Sequence, residues 1–297
     1  MSLETIEHTF SVSSPAQLKL GNISGSVEIQ TGEDGVIHVL AVKQPGSGDA
    51  ERTKIECLQA EDGSVSIATR FSDVGLTWLF GSQVCDVDYV IKVPRQCSLN
   101  VNGVSNSLHV SGFEGDLTFK TVSGDMTLND LSGMLKIETV SGDITGEFLS
   151  GSGQLKSVSG DINLRDSSLT SASVNTVSGD VSLQTGLAEG PYKFHAVSGD
   201  VHLVVPGTSR CNVEMHSISG DFSTNFPVNQ SSRSNGIQTS RLGGGGVLLS
   251  LNSVSGDLLV ECDGEISQAP VKNSLDILSK IESGELTVEE ALAQLNG

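Results

Sequence analysis

At 297 residues the chain is long enough for one large domain or two ordinary ones. Its 36 Asp plus Glu against 17 Lys plus Arg give a formal net charge of −19. Such a surface repels phosphate backbones and anionic head groups, which argues against nucleic acid and bare membrane as partners.

Met1 to Leu18 has no basic start followed by an apolar run, so it does not read as a signal peptide. No stretch approaches the ~18 apolar residues of a membrane-spanning helix. Five cysteines, Cys57, Cys85, Cys97, Cys211 and Cys262, lack metal-ligand spacing and fit reduced thiols. On these features the expected location is the cytoplasm. From about residue 8 to 100 the sequence reads as strands of loose spacing. Ile23 to Ile29 alternates apolar and polar residues in the pattern of the array that follows, so this region is expected to join the same sheet system.

From residue 104 to 262 one tetrapeptide dominates. Val-Ser-Gly-Asp, or a one-residue variant, starts at Val122, Val140, Val158, Val177, Val197, Ile218 and Val254, with steps of 18, 18, 19, 20 and 21 residues and then 36. A near-constant period of this size means one unit built repeatedly and packed on its neighbours. A finer nine-residue register runs inside it. At its first, fifth and seventh places stand Val104, Leu108 and Val110, then Phe113, Leu117 and Phe119, then Val122, Met126 and Leu128, and so on to Leu164, with Gly146 and Gly153 as exceptions. Met134 and Phe148 are apolar residues outside those places. Places one, three, five and seven share a parity, so each register predicts a seven-residue strand with one buried face. On this reading the Val of the tetrapeptide points into the core, its Gly faces inward at a bend, and Ser lies outside beside Asp.

Nine-residue units with short turns fit an antiparallel meander or a β-solenoid with two strands per coil. The solenoid is preferred, because the stronger identity recurs at 18 and later coils lengthen by single residues without losing the motif. A left-handed hexapeptide helix fails: every sixth residue from Val122 reaches Gly146, Ser152 and Thr170. Pro227 to Gly246, rich in Ser, Asn and Gly, reads as a mobile loop within an enlarged coil, the insertion at 227–246. Gly243 to Gly246 lacks the Lys-Ser/Thr of a phosphate-binding loop.

After Pro270 the period becomes helical. Leu275, Ile277, Leu278 and Ile281 form one apolar stripe; Thr287 and Glu290 make a capping box for a second, with Val288, Ala291, Leu292 and Leu295. The fold expected is therefore all-β: a β-solenoid (parallel β-helix) of 18–21-residue coils over 1–268, with a short α-hairpin over 269–297. Helices this short need a surface to dock on, and Leu275, Leu278, Ile281, Val288, Leu292 and Leu295 are the candidate interaction residues.

Two stretches resemble known families. Asp88-Tyr89-Val90-Ile91-Lys92-Val93-Pro94 followed by the Ser-Gly-Asp array resembles the bacterial DUF4097 family of adhesin-like domains, over most of residues 10 to 262. Ile277 to Ala291 is similar to a SHOCT-like helical hairpin. The resemblance implies a β-solenoid, with surface adhesion or envelope-stress roles suggested for relatives.

Chemistry is sparse. Asp125, Asp143, Asp161, Asp180, Asp200, Asp221 and Asp257 would stack ~4.8 Å apart in coils in register. Either they hold Ca²⁺ between coils, or each accepts bonds from nearby backbone N–H or Ser hydroxyl groups. The second reading is preferred, because the Gly-Gly-x-Gly-x-Asp pattern of calcium-binding coils is absent. No cofactor is expected. His195 and His216 share a repeat position and are expected to stack on adjacent coils with His202 nearby, in a solvated column that earlier holds Lys120, Glu138, Lys156 and Asn175. One Trp and two Tyr leave little aromatic surface for sugar, and no nucleophile–base set has workable spacing. The expectation is a non-enzymatic scaffold or adhesin-like binding protein whose C-terminal hairpin mediates self-association or docks a protein partner. The alternative is a carbohydrate-binding or carbohydrate-active β-helix.

Overall fold

The computed structural model describes residues 4–44, 46–72, 84–234 and 236–264. They form a single sheet system of twenty strands and no helix. The expected α-hairpin over 269–297, with its six interaction residues, lies outside the described residues.

The N-terminal strands are β1 (Glu4–Ser11), β2 (Ala16–Thr31), β3 (Val36–Lys43), β4 (Thr53–Gln59), β5 (Val65–Phe71) and β6 (Val87–Val93). The middle holds β7 (Cys97–Ser123), β8 (Met126–Ser141), β9 (Ile144–Glu147), β10 (Ser150–Ser159), β11 (Ile162–Ser178), β12 (Val181–Thr185), β13 (Tyr192–Ser198) and β14 (Val201–Pro206). The C-terminal group is β15 (Cys211–Ser219), β16 (Phe222–Thr224), β17 (Val228–Ser234), β18 (Ile237–Leu242), β19 (Val247–Ser255) and β20 (Leu258–Asp263).

Pairing in the middle is parallel at the coil period. Leu117 faces Leu135, Phe119 faces Ile137, and on the next coil Gly153 faces Leu135 and Leu155 faces Ile137. The solenoid, not the meander, is the arrangement formed. The lengthened coils keep the motif in register by absorbing the extra residue away from it: the shift between β10 and β11 falls at Gly151/Ser152. Each coil contributes to two facing sheets. One buries Phe119, Ile137, Leu155, Val174 and Phe194; the other buries Met126, Ile144, Ile162, Val181 and Val201. Each such side chain gains roughly 1.5–3 kcal/mol from leaving water.

The tetrapeptide is a corner, not a strand centre. Parity set by Phe113, Leu117 and Phe119 carries on to Thr121, which is buried, so Val122 falls out of phase and projects outward. The same holds down the array. Thr139, Ser157 and Thr176 take the inward place, while Val104, Val122, Val140, Val158, Val177, Val197 and Val254 are 46–50% exposed. The expectation that this Val is core is thereby corrected. Its nine-residue counterparts Phe113, Leu131 and Leu149 are buried at the opposite corner. Met134 and Phe148, the two residues outside the register, are exposed as the register requires.

The glycine makes the bend, though it does not face inward. Gly142 has φ +128°, and a Cβ there would lie 2.3 Å from the carbonyl oxygen of Gly124 on the coil below. Gly160 meets Gly142 in the same way. A β-carbon would therefore break both the local backbone conformation and the stacking distance.

At the two ends the coils leave chain order. β2 pairs β7 on one side, with Ala16 facing Cys97, and β5 and β6 on the other. Strands β5 and β6 thus lie outside β2, which precedes them in sequence. At the far end β19 is inserted between β13 and β15: Tyr192 faces Leu249, and Cys211 faces Val247. The segment 227–246, expected as a mobile loop, is instead the antiparallel pair β17–β18, with β18 sealing the open edge of β15. Its outer strand, β17, is exposed along its whole length and polar apart from Val228, which discourages pairing with another sheet edge.

Candidate functional surface: an aspartate ladder beside a valine stripe

Both rows arise at the Val-Ser-Gly-Asp corner. The backbone N–H of Asp143 donates to Oδ1 of Asp125 at 2.9 Å, and Asp161 donates to Asp143 at 2.9 Å. The series continues through Asp180, Asp200, Asp257 and Asp221, each N–H reaching the carboxylate of the preceding coil at 2.8–2.9 Å. In return, the N–H following each Asp donates to the carbonyl of the next, as Met126 does to Asp143 at 2.9 Å. The carboxylate thus supplies an acceptor where the turn removes a backbone one. This is the second of the two roles weighed for these residues. Among the described residues no three His, Cys, Asp or Glu side chains converge as a metal set.

The ladder has a further member that the repeat did not reveal. Asp88 lies beside Ser26, whose N–H and Oγ both donate to Asp88 Oδ1 at 2.7 Å. Gln44 Nε2 donates to its other oxygen. Burial pushes the Asp88 carboxyl upward, but the bonds from Ser26 and Gln44 outweigh it and hold the group below its ordinary value. Asp88 lacks a preceding Val-Ser-Gly, which is why periodicity passes over it. Next to it Tyr89 is buried, with its hydroxyl 2.7 Å from Thr69 Oγ1, which in turn donates to Asn22 Oδ1 at 3.0 Å. Burial pushes the Tyr89 phenol up to about 12, so this motif tyrosine is a packing residue.

The polar column beside the stripe differs from expectation at one point. His195 and His216 are not on adjacent coils, because both pair with Asn252 of the inserted β19. They stand two rungs apart, beyond the reach of a shared metal ion. His202 instead meets Glu261, at 2.8 Å. Earlier in the column Glu138 accepts from Lys120 at 2.8 Å and contacts Lys136 at 3.4 Å, and the Lys120 bond holds its carboxyl low. The buried thiols are poor nucleophiles: burial pushes Cys97 up to about 12 and Cys211 up to about 11.

Between the column and the valine stripe runs an open, mainly apolar groove of about 720 Å³. Val158, Val177, Val197, Val254 and Ile218 form one wall, with Lys156, Asn175, His195, Asn252 and His216 along the other. Sequence reasoning missed it by placing these valines in the core. The signal was present: a small polar residue, Thr121, Thr139, Ser157 or Thr176, precedes Val122, Val140, Val158 and Val177 and occupies the inward parity, with Ala196 in that place before Val197.

No curated protein matches the chain. Among solved structures it is similar to a Bacteroides fragilis protein with a provisional adhesin label, at 11% identity and TM-score 0.44, covering 88% of this chain and 97% of that one. A Parabacteroides distasonis protein with the same kind of label is similar at 12% identity and TM-score 0.36, over 88% and 97%. Another from that organism, provisionally described as lipid-binding, is similar at 12% identity and TM-score 0.30, over the same shares. The Toastrack DUF4097 model matches residues 16–261, and the chain belongs to that family.

Proposed function

We propose that the protein is a non-enzymatic binding scaffold whose working surface is the groove beside the valine stripe, and that residues 271–297 act as its docking element. The observation that carries this is the stripe itself. Seven valines, each about half exposed, stand in line on a regular rod. Singly exposed apolar residues are ordinary, whereas a contiguous exposed row marks an interaction surface. Catalysis has weaker support, since the carboxylates of the ladder are committed to backbone N–H groups.

A chain ending at residue 270 retains every described strand, and light scattering of it against the full chain tests the docking role. A changed mass, or a newly saturable site for an apolar dye such as anilinonaphthalene sulfonate, is the expected result. Identical mass and identical dye binding would remove residues 271–297 from the reading.

A further inference from the structure

We infer that the last corner of the array, Ser217–Thr224, is a strand-addition site. Its occupant is an extended segment of another polypeptide with the pattern apolar-x-Gly-x-apolar, in which the residue after the glycine is anything but Pro. This goes beyond the groove and does not depend on it.

Below the tip, each corner is completed by the next rung. The N–H of Gly256 donates to the Ser219 carbonyl at 3.2 Å and that of Leu258 to the Asp221 carbonyl at 3.0 Å, while the Asp257 carboxylate accepts from the Asp221 N–H at 2.8 Å. Gly220, Asp221 and Phe222 hold the same three places one rung further out. By that pattern the N–H groups of Gly220 and Phe222 face outward, and among the described residues no rung follows to receive them. The Asp221 carboxylate accepts no backbone N–H; it is 84% exposed, in ion-pair range only of the exposed Arg233 at 3.9 Å. Strand β18 covers the outer edge of β15 from Cys211 to His216 and stops there, and β16 pairs with β20 alone. Ile218 is accordingly 84% exposed, against 46–50% for the valines of the stripe. The excess is the area that an outer rung covers for the others.

The corner also dictates what can be added. A Cβ at Gly220 would lie 2.1 Å from the carbonyl oxygen of Gly256, and one at Gly256 would lie 2.2 Å from that of Gly199. A residue laid over Gly220 meets the Gly220 carbonyl in the same way, so glycine alone fits there. The residue after it must donate an N–H to Asp221, which excludes Pro. Its neighbours fall opposite Ile218 and Phe222, and Phe222 is only partly buried against the core, so both places favour apolar side chains. The pairings of β15 with β19 and β16 with β20 are parallel, and the added segment continues them. Main-chain bonds then supply affinity, and the glycine and apolar places supply selectivity.

A second copy of the chain does not meet these terms. Its edge strands β1, β4 and β17 contain no glycine. Two last corners related by a two-fold axis would run antiparallel and set one Asp221 carboxylate against the other.

The test uses the full chain and a fluorescein-labelled heptapeptide of the array's own corner, residues 122–128, with Asp125→Asn so that it adds no charge to the ladder. Fluorescence anisotropy should show saturable one-to-one binding. Gly124→Ala in the peptide, or an N-methyl group on its residue 125, should weaken binding about tenfold or more, as should Asp221→Ala in the protein. Asp221 supports no further rung, so that variant should melt with wild type. Hydrogen exchange of the complex should show new protection at Gly220 and Phe222. No saturable binding, or binding indifferent to both Gly124→Ala and Asp221→Ala, would overturn the inference. Val177→Ser with Val197→Ser, which strips the groove, should leave the affinity unchanged. Weakening by that pair, with none by Asp221→Ala, would seat the peptide in the groove, refuting the tip site and leaving the groove as the working surface.

Discussion

The middle of the rod and its C-terminal end use the same tetrapeptide in opposite ways. From β8 to β14 each coil rests on the coil that precedes it in sequence, at separations of 18 to 20 residues. Beyond β14 the last coil is threaded between two earlier ones, pairing Tyr192 with Leu249 and Cys211 with Val247. The middle closes short loops, whereas the end closes long ones whose entropy must be met before any rung forms. Identical corners make both possible: an Asp carboxylate accepts any incoming Asp N–H, whether it arrives 18 or 57 residues later. The difference teaches that the motif specifies a rung and carries no address.

Breaking one rung in each region exposes the contrast most strongly. Ile137→Ala and Leu251→Ala both empty a fully buried place and should each cost roughly 2–5 kcal/mol. Their spread should differ. Hydrogen exchange is expected to show residues 211–242 loosening first in Leu251→Ala, because β15 and β18 lean on the inserted strand. Protection lost equally from both ends would remove the distinction.

Glycines sharpen it next. Gly142→Ala meets a carbonyl at 2.3 Å with φ +128°, whereas Gly236→Ala, in the end hairpin, has φ +77° and open space. Thermal melts should show a loss of ~3 kcal/mol or more for the first and about 1 kcal/mol for the second. Equal losses would mean that the stack yields more than a corner of abutting backbones should.

Smaller effects concern the ladder. Asp161→Ala strips the acceptor from the Asp180 N–H and should cost about 1–2 kcal/mol. Asp161→Asn keeps an oxygen in place and relieves a row of like charges, so it should be close to neutral, and more favourable at low salt. Asn as damaging as Ala in urea titrations would show that the charge, not the acceptor, matters.

The smallest effect is in acid. The Asp88 carboxyl lies below its ordinary value in the folded state. Its contribution is therefore present above the unfolded value of ~3.9 and lost as pH falls through the lower folded value. Urea midpoints measured from pH 6 to pH 2.5 should converge for wild type and Asp88→Asn at the acid end. A constant gap across that range would contradict the assignment.

Much of the fold is legible in the residues. The 18-residue step, its tolerance of single insertions and the kinship of Ile23–Ile29 with the array all follow from apolar spacing, and β2 indeed pairs β7 from end to end. Two things are not. Parity is continuous along a strand but resets at a positive-φ corner, so Val122 and Phe113 hold equivalent places in a nine-residue register and opposite ones in space. Rung order is hidden because the corners are interchangeable; the 36-residue gap before Val254 marks a detour without saying where the chain returns. The groove inherits both obscurities. Its wall is made of valines whose burial was misassigned, in an order the sequence does not run.

The threading of β19 and β20 also decides where the chain departs. The outermost rungs at that end belong to β15, β16 and the β17–β18 hairpin, while Gly264 follows a strand flanked on both sides. Whatever follows is delivered from the flank of the rod, one rung in from its tip, and the tip itself is left to a polar hairpin that never carries the chain onward.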